Sequence, residues 1–187
     1  MDTRALYKSI GSPDAFWNAV DCLGRYFMGD APVHRALKKL AAILEEQQIP
    51  YAIGGAMALT QHGYIRAAVD VDLLLTADGL AKLKSSVLGL GYVEKFPGSK
   101  GLRDTENNVL INVLIAGDYP GDGKPKPVRF PDPALVSISA GGARFLQLGM
   151  LIELKLASGI SAPHPMKDLT DVLGLVRIAK LAARSGE

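Results

Sequence analysis

The chain contains 187 residues, of which 48% are hydrophobic and 21% charged, and its formal net charge is +2. This composition is typical of a folded globular protein, and so small a net charge disfavours a large nucleic-acid interface. Cys22 is the only cysteine, which excludes an intrachain disulfide and favours a reducing compartment. The sequence shows neither a signal-peptide core nor an apolar run that could span a bilayer. We therefore expect a cytoplasmic protein without membrane contact.

The first half of the chain predicts helices followed by alternating strands and helices. Ser12 and Pro13 are typical of a helix start, and Gly63 of a helix end. Spacing of apolar residues gives the elements in between. The predicted elements are helices over 13–28 and 32–48, a strand at 51–53, a helix at 56–62, a strand at 69–76, and a helix at about 79–90 capped by Thr76 or Asp78.

The second half predicts several strands and then two helices. GDYPGDGKPKP is a loop by composition. The helix near residue 150 is apolar on nearly every side, so we expect it to be buried. The predicted elements are strands at 92–95, 102–105 and 109–115, short extended pieces at 128–130 and 134–138, and helices over 145–157 and 166–183.

This order of elements indicates an α+β fold in which helices flank a small mixed β-sheet and the C-terminal part is helical. The chain divides into an N-terminal helical segment over 1–49, an α/β core over 50–140 and C-terminal helices over 141–187. We expect the C-terminal helices to pack on the core as one domain.

Asp70 and Asp72 lie two residues apart on a strand whose other residues are apolar. Side chains alternate along a strand, so both carboxylates project from one face. Two like charges on a buried strand repel each other and are costly to desolvate, and a divalent cation would relieve both effects. The alternative is a strand end that is bonded to loop amides or paired with Arg66.

Gly54 and Gly55 stand between a strand and the start of a helix. Glycines at such a junction let a phosphate group approach the backbone and meet N–H groups at the positive end of the helix. A Gly-Gly pair alone is more often a tight turn. The two aspartates that follow on the next strand favour the phosphate interpretation.

This run of residues resembles the polymerase-β-like nucleotidyltransferase superfamily, whose hallmark is a Gly-Gly or Gly-Ser turn, a helix, and Asp-x-Asp on the following strand. It looks most similar to the minimal and AbiEii-type members. The likeness covers residues 50–115 well and 145–176 moderately, and it leaves the first fifty residues unexplained. The matching positions, with one extra residue between the glycines and the alanine, are Gly54, Gly55, Ala58, His62, Gly63, Arg66, Asp70 and Asp72.

The resemblance implies a nucleotidyltransferase-type sheet, and it implies that Asp70 and Asp72 bind Mg²⁺ or Mn²⁺. A third carboxylate on a neighbouring strand would help to activate the attacking hydroxyl, but the matching catalytic position in VLINVLI is Asn112. An amide ligates metal weakly and cannot accept a proton at neutral pH. The chain is thus a slow enzyme, a nucleotide-binding protein without turnover, or an enzyme that recruits another carboxylate. Three acids are available for that role: Asp104, Glu106 and Asp118.

The same resemblance assigns more residues to nucleotide binding. Besides the two glycines they are Arg66, Lys155, Lys167 and Asp168. A salt bridge to Asp70 would explain Arg66 equally well. An acidic partner would explain Lys155 within its apolar helix equally well. The helix dipole alone favours acids at Asp168 and Asp171.

Two functions follow from these assignments. The first is an enzyme that moves a nucleoside monophosphate from an NTP to an acceptor hydroxyl on a protein, an RNA or a small molecule. AbiEii-type relatives act in toxin–antitoxin pairs, which implies an antitoxin-type protein partner. The second is a catalytically degenerate protein that binds nucleotide or a partner without turnover. A weaker third interpretation is an RNA-binding protein.

Overall fold

The computed structural model describes residues 29–161 and 165–185, and the helix predicted over 13–28 lies outside the described residues. The strands are β1 (Ala52–Ile53), β2 (Asp70–Leu75), β3 (Tyr92–Glu94), β4 (Leu102–Asp104), β5 (Val109–Ile115), β6 (Ser137–Ala140) and β7 (Ala143–Leu146). The helices are α1 (Pro32–Glu46), α2 (Gly55–Gln61), α3 (Ala77–Val87), α4 (Pro133–Val136), α5 (Leu148–Ser161) and α6 (Pro165–Ser185).

The strands form one mixed sheet in the order β3-β4-β5-β2-β1-β7-β6. β2 runs parallel to β5, and β1 runs parallel to β7. The other neighbouring strands pair antiparallel. Helices flank this sheet and follow it along the chain, which confirms the predicted α+β class with a helical C-terminal part.

The core lies between the central strands and the helices packed on them. In β2 the four apolar side chains are fully buried, as a strand flanked on both sides requires. α1 buries a stripe at helical spacing against β2, β5 and β7. The buried members of that stripe are Val33, Ala36, Leu37, Leu40, Ala41 and Leu44.

Most predicted elements are present with ends shifted by one to three residues, and β5 has the predicted bounds. The cap of α3 is Thr76 rather than Asp78, because the Thr76 hydroxyl accepts a hydrogen bond from the Gly79 N–H at 3.0 Å. The extended piece predicted over 134–138 was wrong in its first half. There Pro133 begins the short helix α4, whose first turn is capped by the Asp132 side chain.

The helix predicted over 145–157 was wrong at its start. Gly141 and Gly142 have φ angles of 56° and 81°, which allow a tight hairpin that returns the chain as β7. Phe145 therefore pairs with Ile53 in the sheet, and α5 begins only at Leu148. The sheet thus continues past residue 140, the end predicted for the core. α5 is also not wholly buried within the predicted range, since Leu156 is 39% exposed.

The last two helices pack closely on each other and on the loop before β2. At Gly159 of α5, a Cβ would lie 3.1 Å from the side chain of Leu169 on α6. At Gly174 of α6, a Cβ would lie 2.6 Å from the ring of Tyr64. The glycines at both contacts let α6 lie close to α5 and to Tyr64, in the loop that precedes the central strand β2. Among the helices of the described ranges, none is long and apolar enough to cross a membrane.

A buried ion pair joins α1 to the β3–β4–β5 side of the sheet. Asp104 is fully buried, and its carboxylate accepts hydrogen bonds from Lys39 Nζ at 2.9 Å and Asn107 Nδ2 at 2.7 Å. Burial by itself raises the pKa of Asp104, but these bonds and one from the Glu106 N–H outweigh it and hold the pKa below its ordinary value. The ionised carboxylate therefore contributes to stability.

We predict that Asp104→Asn lowers the free energy of unfolding at pH 7 by about 1.5–3 kcal/mol, since it removes a charge-assisted hydrogen bond. A depressed pKa in the folded state gives stability that is present above the ordinary carboxyl pKa of about 3.9 and is lost as pH falls through the folded value. Urea titrations from pH 7 downwards should thus show the wild type and the variant converging below about pH 4. Glu46→Gln, at an exposed position of α1, is the control for lost charge. A constant difference at every pH would contradict the prediction.

Candidate functional site

The parallel register of β2 and β5 brings three predicted site residues together. Asp72 is paired with Asn112, and Asp70 lies two residues earlier on the same face. Asn112 Nδ2 donates to Asp70 Oδ2 at 2.8 Å and to Asp72 Oδ1 at 3.1 Å. The amide thus lies between Asp70 and Asp72, which we call the carboxylate pair.

The negative charges of the carboxylate pair are only partly compensated by their surroundings. Burial raises the pKa of Asp72, the hydrogen bond from Asn112 opposes that effect, and the neighbouring charge of Asp70 adds to it. Lys155 and Lys167 act in the opposite direction from further away. A neutral amide relieves part of the repulsion, and a cation would relieve more.

The Gly-Gly turn lies directly against the carboxylate pair. The Gly54 N–H donates to the backbone carbonyl of Asp72 at 2.8 Å, which extends the β1–β2 pairing by one residue. Gly55 has a φ of 55°, and a Cβ built on it would lie 1.8 Å from Asp72 Oδ2. Glycine is therefore required at position 55 by both backbone conformation and space.

Two cations reach the site from different elements and meet one buried acid. Asp171 of α6 is 2% exposed, and its carboxylate pairs with Arg66 Nη1 and, at 2.8 Å, with Lys155 Nζ of α5. Lys155 Nζ also lies 2.9 Å from Asp168 Oδ1. The acidic partner expected for Lys155 is thus present, whereas Arg66 pairs with Asp171 and not with Asp70 as the alternative had it.

The pKa of Asp168 reflects the same contacts. Burial raises it, but hydrogen bonds from Lys155 and Ser158 outweigh burial and bring the pKa below its ordinary value. Asp168 is therefore ionised at neutral pH and holds Lys155 in place. The helix dipole, which would account for an acid in the first turn of α6, is supplemented by these direct partners.

A cavity of about 330 Å³, which we call the charged lobe, opens onto the carboxylate pair. Three cationic and four acidic side chains line it, so its formal charge is −1. Gly54 lies outside it, in the lining of an adjoining cavity. The predicted site residues that line the charged lobe are Gly55, Arg66, Asp70, Asp72, Asn112, Lys155, Lys167 and Asp168.

The carboxylates considered as replacements for Asn112 lie elsewhere. Asp104 and Glu106 both pair with Lys39, and Asp118 pairs with Lys100 at 2.7 Å. None of the three is among the described residues that line the charged lobe. The three-dimensional arrangement therefore leaves Asn112 as the only predicted third member beside Asp70 and Asp72 in the described part of the chain.

The carboxylate pair can supply hard oxygen ligands to one divalent cation. Within residues 29–161 and 165–185 no group of three or more His, Cys, Asp or Glu side chains could hold a metal ion. Magnesium, however, is commonly bound through one or two carboxylates, with water and substrate phosphates as the other ligands. The donor set of Asp70 and Asp72 fits that mode of binding.

Asp171 is the residue whose importance the sequence understated. Helix dipole alone would explain it, yet the structure makes it the buried link between Arg66 and Lys155. One signal was present in the sequence: Asp171 follows Asp168 by three residues, so both acids share a helix face towards α5.

His62 has a structural contact in this fold. It is the C-cap of α2, and its Nε2 donates to the backbone carbonyl of Leu146 at 2.7 Å. The next residue, Gly63, has a φ of 87° and ends the helix as predicted. This part of the motif ties α2 to β7.

Comparisons with known proteins give fold likenesses only. No family model and no curated protein matches the chain. A crystal structure of ANT(2'')-Ia in complex with adenylyl-2''-tobramycin is 17% identical over 78% of this chain and 92% of that one, with a TM-score of 0.49. A solution structure of the antibiotic-resistance factor ANT(2'')-Ia is 16% identical over 79% and 90%, with a TM-score of 0.49. An antigenic nucleotidyltransferase-like protein from Paracoccidioides brasiliensis is 16% identical over 77% and 75%, with a TM-score of 0.48.

We predict that Gly55→Ala destabilises the fold far more than Gly89→Ala. Both glycines have positive φ, so each substitution costs about 1–2 kcal/mol of backbone strain. Only at Gly55 does the new methyl group meet Asp72, which adds about 1–3 kcal/mol of overpacking. Urea denaturation measures both differences, and equal losses for the two variants would contradict the predicted contact.

Proposed function

We propose that this chain is a metal-dependent nucleotidyltransferase that moves a nucleoside monophosphate from an NTP to an acceptor hydroxyl. The hydroxyl oxygen attacks the α-phosphorus, the bond from that phosphorus to the bridging oxygen of the β-phosphate breaks, and pyrophosphate leaves. The hydroxyl proton passes to solvent, because Asn112 cannot accept it.

One observation carries this proposal. Asp70 and Asp72 lie side by side at the charged lobe, and Arg66, Lys155 and Lys167 line the same cavity. A site that combines a cation-binding pair of acids with several basic side chains is complementary to a triphosphate that enters with its metal ion. An ion pair that served only stability would not need an open cavity.

Each residue has a proposed part in this reaction. Asp70 and Asp72 would hold Mg²⁺ or Mn²⁺, which would supply positive charge to stabilise the leaving pyrophosphate. Lys155 and Lys167 neutralise phosphate charge, together with Arg66. Asp171 is a positioning residue, because it fixes the head groups of Arg66 and Lys155.

The second candidate is a protein of this fold that binds nucleotide or a partner without turnover. The specific observation in its favour is the Asn112 amide, which donates to both carboxylates at the position where a general base would be expected. Such a protein would keep the charged lobe and its cation but would lack the proton acceptor that accelerates hydroxyl attack.

The acceptor and the biological setting belong to the same proposal. The sequence resemblance supports a protein side chain, an RNA 3′ end or a small molecule as acceptor, and a toxin–antitoxin-type role with a protein partner. Accumulation of labelled product on purified candidate acceptors would separate these classes.

We predict that Asp70→Asn combined with Asp72→Asn abolishes Mg²⁺-dependent or Mn²⁺-dependent release of pyrophosphate from NTPs. The reason is that two neutral amides no longer attract a divalent cation. A coupled phosphate assay with each of the four NTPs gives the rate. Asp118→Asn removes a charge at a remote, half-exposed ion pair and should leave the rate unchanged. Unaltered pyrophosphate release in the double variant would refute the proposed metal site.

We predict that Asn112→Asp raises turnover by about 10²-fold or more, the usual contribution of a positioned general base. The same change should tighten Mn²⁺ binding, measured by calorimetry, because it adds a third carboxylate oxygen donor beside Asp70 and Asp72. Asn112→Ala is the matched control, since it removes the amide without adding a base. Turnover that appears only in Asn112→Asp would favour the second candidate for the natural chain, and a fall in turnover would contradict the role given to position 112.

A further inference from the structure

A second cavity of about 210 Å³ adjoins the charged lobe, and we call it the apolar lobe. The two cavities share Gly55, Asp72, Lys155 and Asp168 in their linings. Because the two cavities adjoin, one ligand could contact the carboxylate pair and extend into the apolar lobe. The volume is below the roughly 300–1,000 Å³ of pockets that enclose a drug-sized ligand, so it suits a single ring system.

The walls of the apolar lobe differ in character from those of the charged lobe. Leu114 comes from β5, Leu146 from β7, and Leu151 and Leu154 from α5. Phe130 is the only aromatic residue among the described residues that line it. Such walls favour a flat, weakly hydrated group over a charged one.

One part of the lining is a loop that hydrogen bonds and close packing hold against α5. Lys126 Nζ donates at 2.6 Å to the backbone carbonyl of Pro120 and also to the hydroxyl of Ser161 on α5. Gly121 has a φ of 74°, and a Cβ there would lie 2.3 Å from Ser161 Oγ. The lysine and the glycine thus hold the loop against α5, so Pro120 and Gly121 line a preformed cavity.

We propose that the apolar lobe binds the nucleobase of the nucleotide whose phosphates occupy the charged lobe, and that it does so with little preference among bases. This rests on the proposed function. A nucleotide joins an anionic phosphate chain to a flat heterocycle. The two adjoining cavities likewise join a charged lining to an apolar one. Phe130, the aromatic residue of the lining, is the side chain on which the base would stack.

Weak base preference follows from the polar groups that line the apolar lobe. Asp72, Lys155 and Asp168 belong to the boundary with the charged lobe. Ser158 donates its hydroxyl hydrogen to Asp168, so it has no second hydrogen to donate to a base edge. Strong discrimination between bases needs side chains that hydrogen-bond their edges, whereas stacking on an aromatic ring accepts all four.

The test compares ligands with and without a base. Calorimetry in the presence of Mg²⁺ gives the Kd of α,β-methylene ATP, which cannot release pyrophosphate, and of inorganic tripolyphosphate, which lacks base and sugar. We expect the nucleotide analogue to bind at least about ten-fold more tightly, and Phe130→Ala to weaken it by about five-fold or more. Tripolyphosphate affinity should not change in that variant. The α,β-methylene analogues of GTP, CTP and UTP should bind within about ten-fold of the ATP analogue.

Phe96→Ala is the matched control, because Phe96 is 60% exposed and lies outside the described lining of both lobes. If Phe130→Ala does not fold, Phe130→Leu retains an apolar side chain and removes only the aromatic ring.

Two results would overturn the base site and leave the proposed function standing. One is equal affinity of the wild type for the ATP analogue and for tripolyphosphate. The other is equal weakening of both ligands in the variant. Failure of both ligands to bind would overturn the proposed function itself. A preference above about 100-fold for one base would refute the proposal that the apolar lobe discriminates little among bases.

Discussion

β2 and β5 pair in parallel with Asp72 beside Asn112, and the rest of the site is arranged around that register. A shift by one residue would turn the whole strand face over and bury Asp70 and Asp72 among apolar side chains. On the other side of β2, the antiparallel pairing with β1 places the backbone of Asp72 against Gly54, so strand contacts fix both the carboxylate pair and the Gly-Gly turn. The geometry of this site is therefore set by strand pairing within the sheet.

A second layer of constraint comes from Asp171. A carboxylate that is 2% exposed needs charge compensation, and here two cations from separate elements supply it. Because Arg66 precedes β2 and Lys155 lies on α5, this one acid couples the C-terminal helices to the loop that leads into Asp70. The contacts that hold α6 are therefore the same ones that orient Arg66 and Lys155 at the charged lobe.

The sequence was informative where a single local pattern sufficed. The apolar run around Asp70 and Asp72 gave β2, and the positive φ expected at Gly63 gave the end of α2. It failed near Phe145, where a short, largely apolar stretch suits a buried strand and a buried helix equally. Pairing with β1 determined the outcome, because β1 had a free side in the sheet and residues 143–146 pair with it as a strand.

By itself the sequence determined the α+β class, the strand that carries Asp70 and Asp72, and the Gly-Gly turn before it, because each depends on residues close together in the chain. Only the tertiary structure decided that Asn112 donates to both acids, that Asp171 holds Arg66 and Lys155, and that an apolar lobe adjoins the charged one. Asn112 is 42 and 40 residues from the two acids, and Asp171 is 105 residues from Arg66. Contacts of that kind arise from strand pairing and helix packing, which no local pattern encodes.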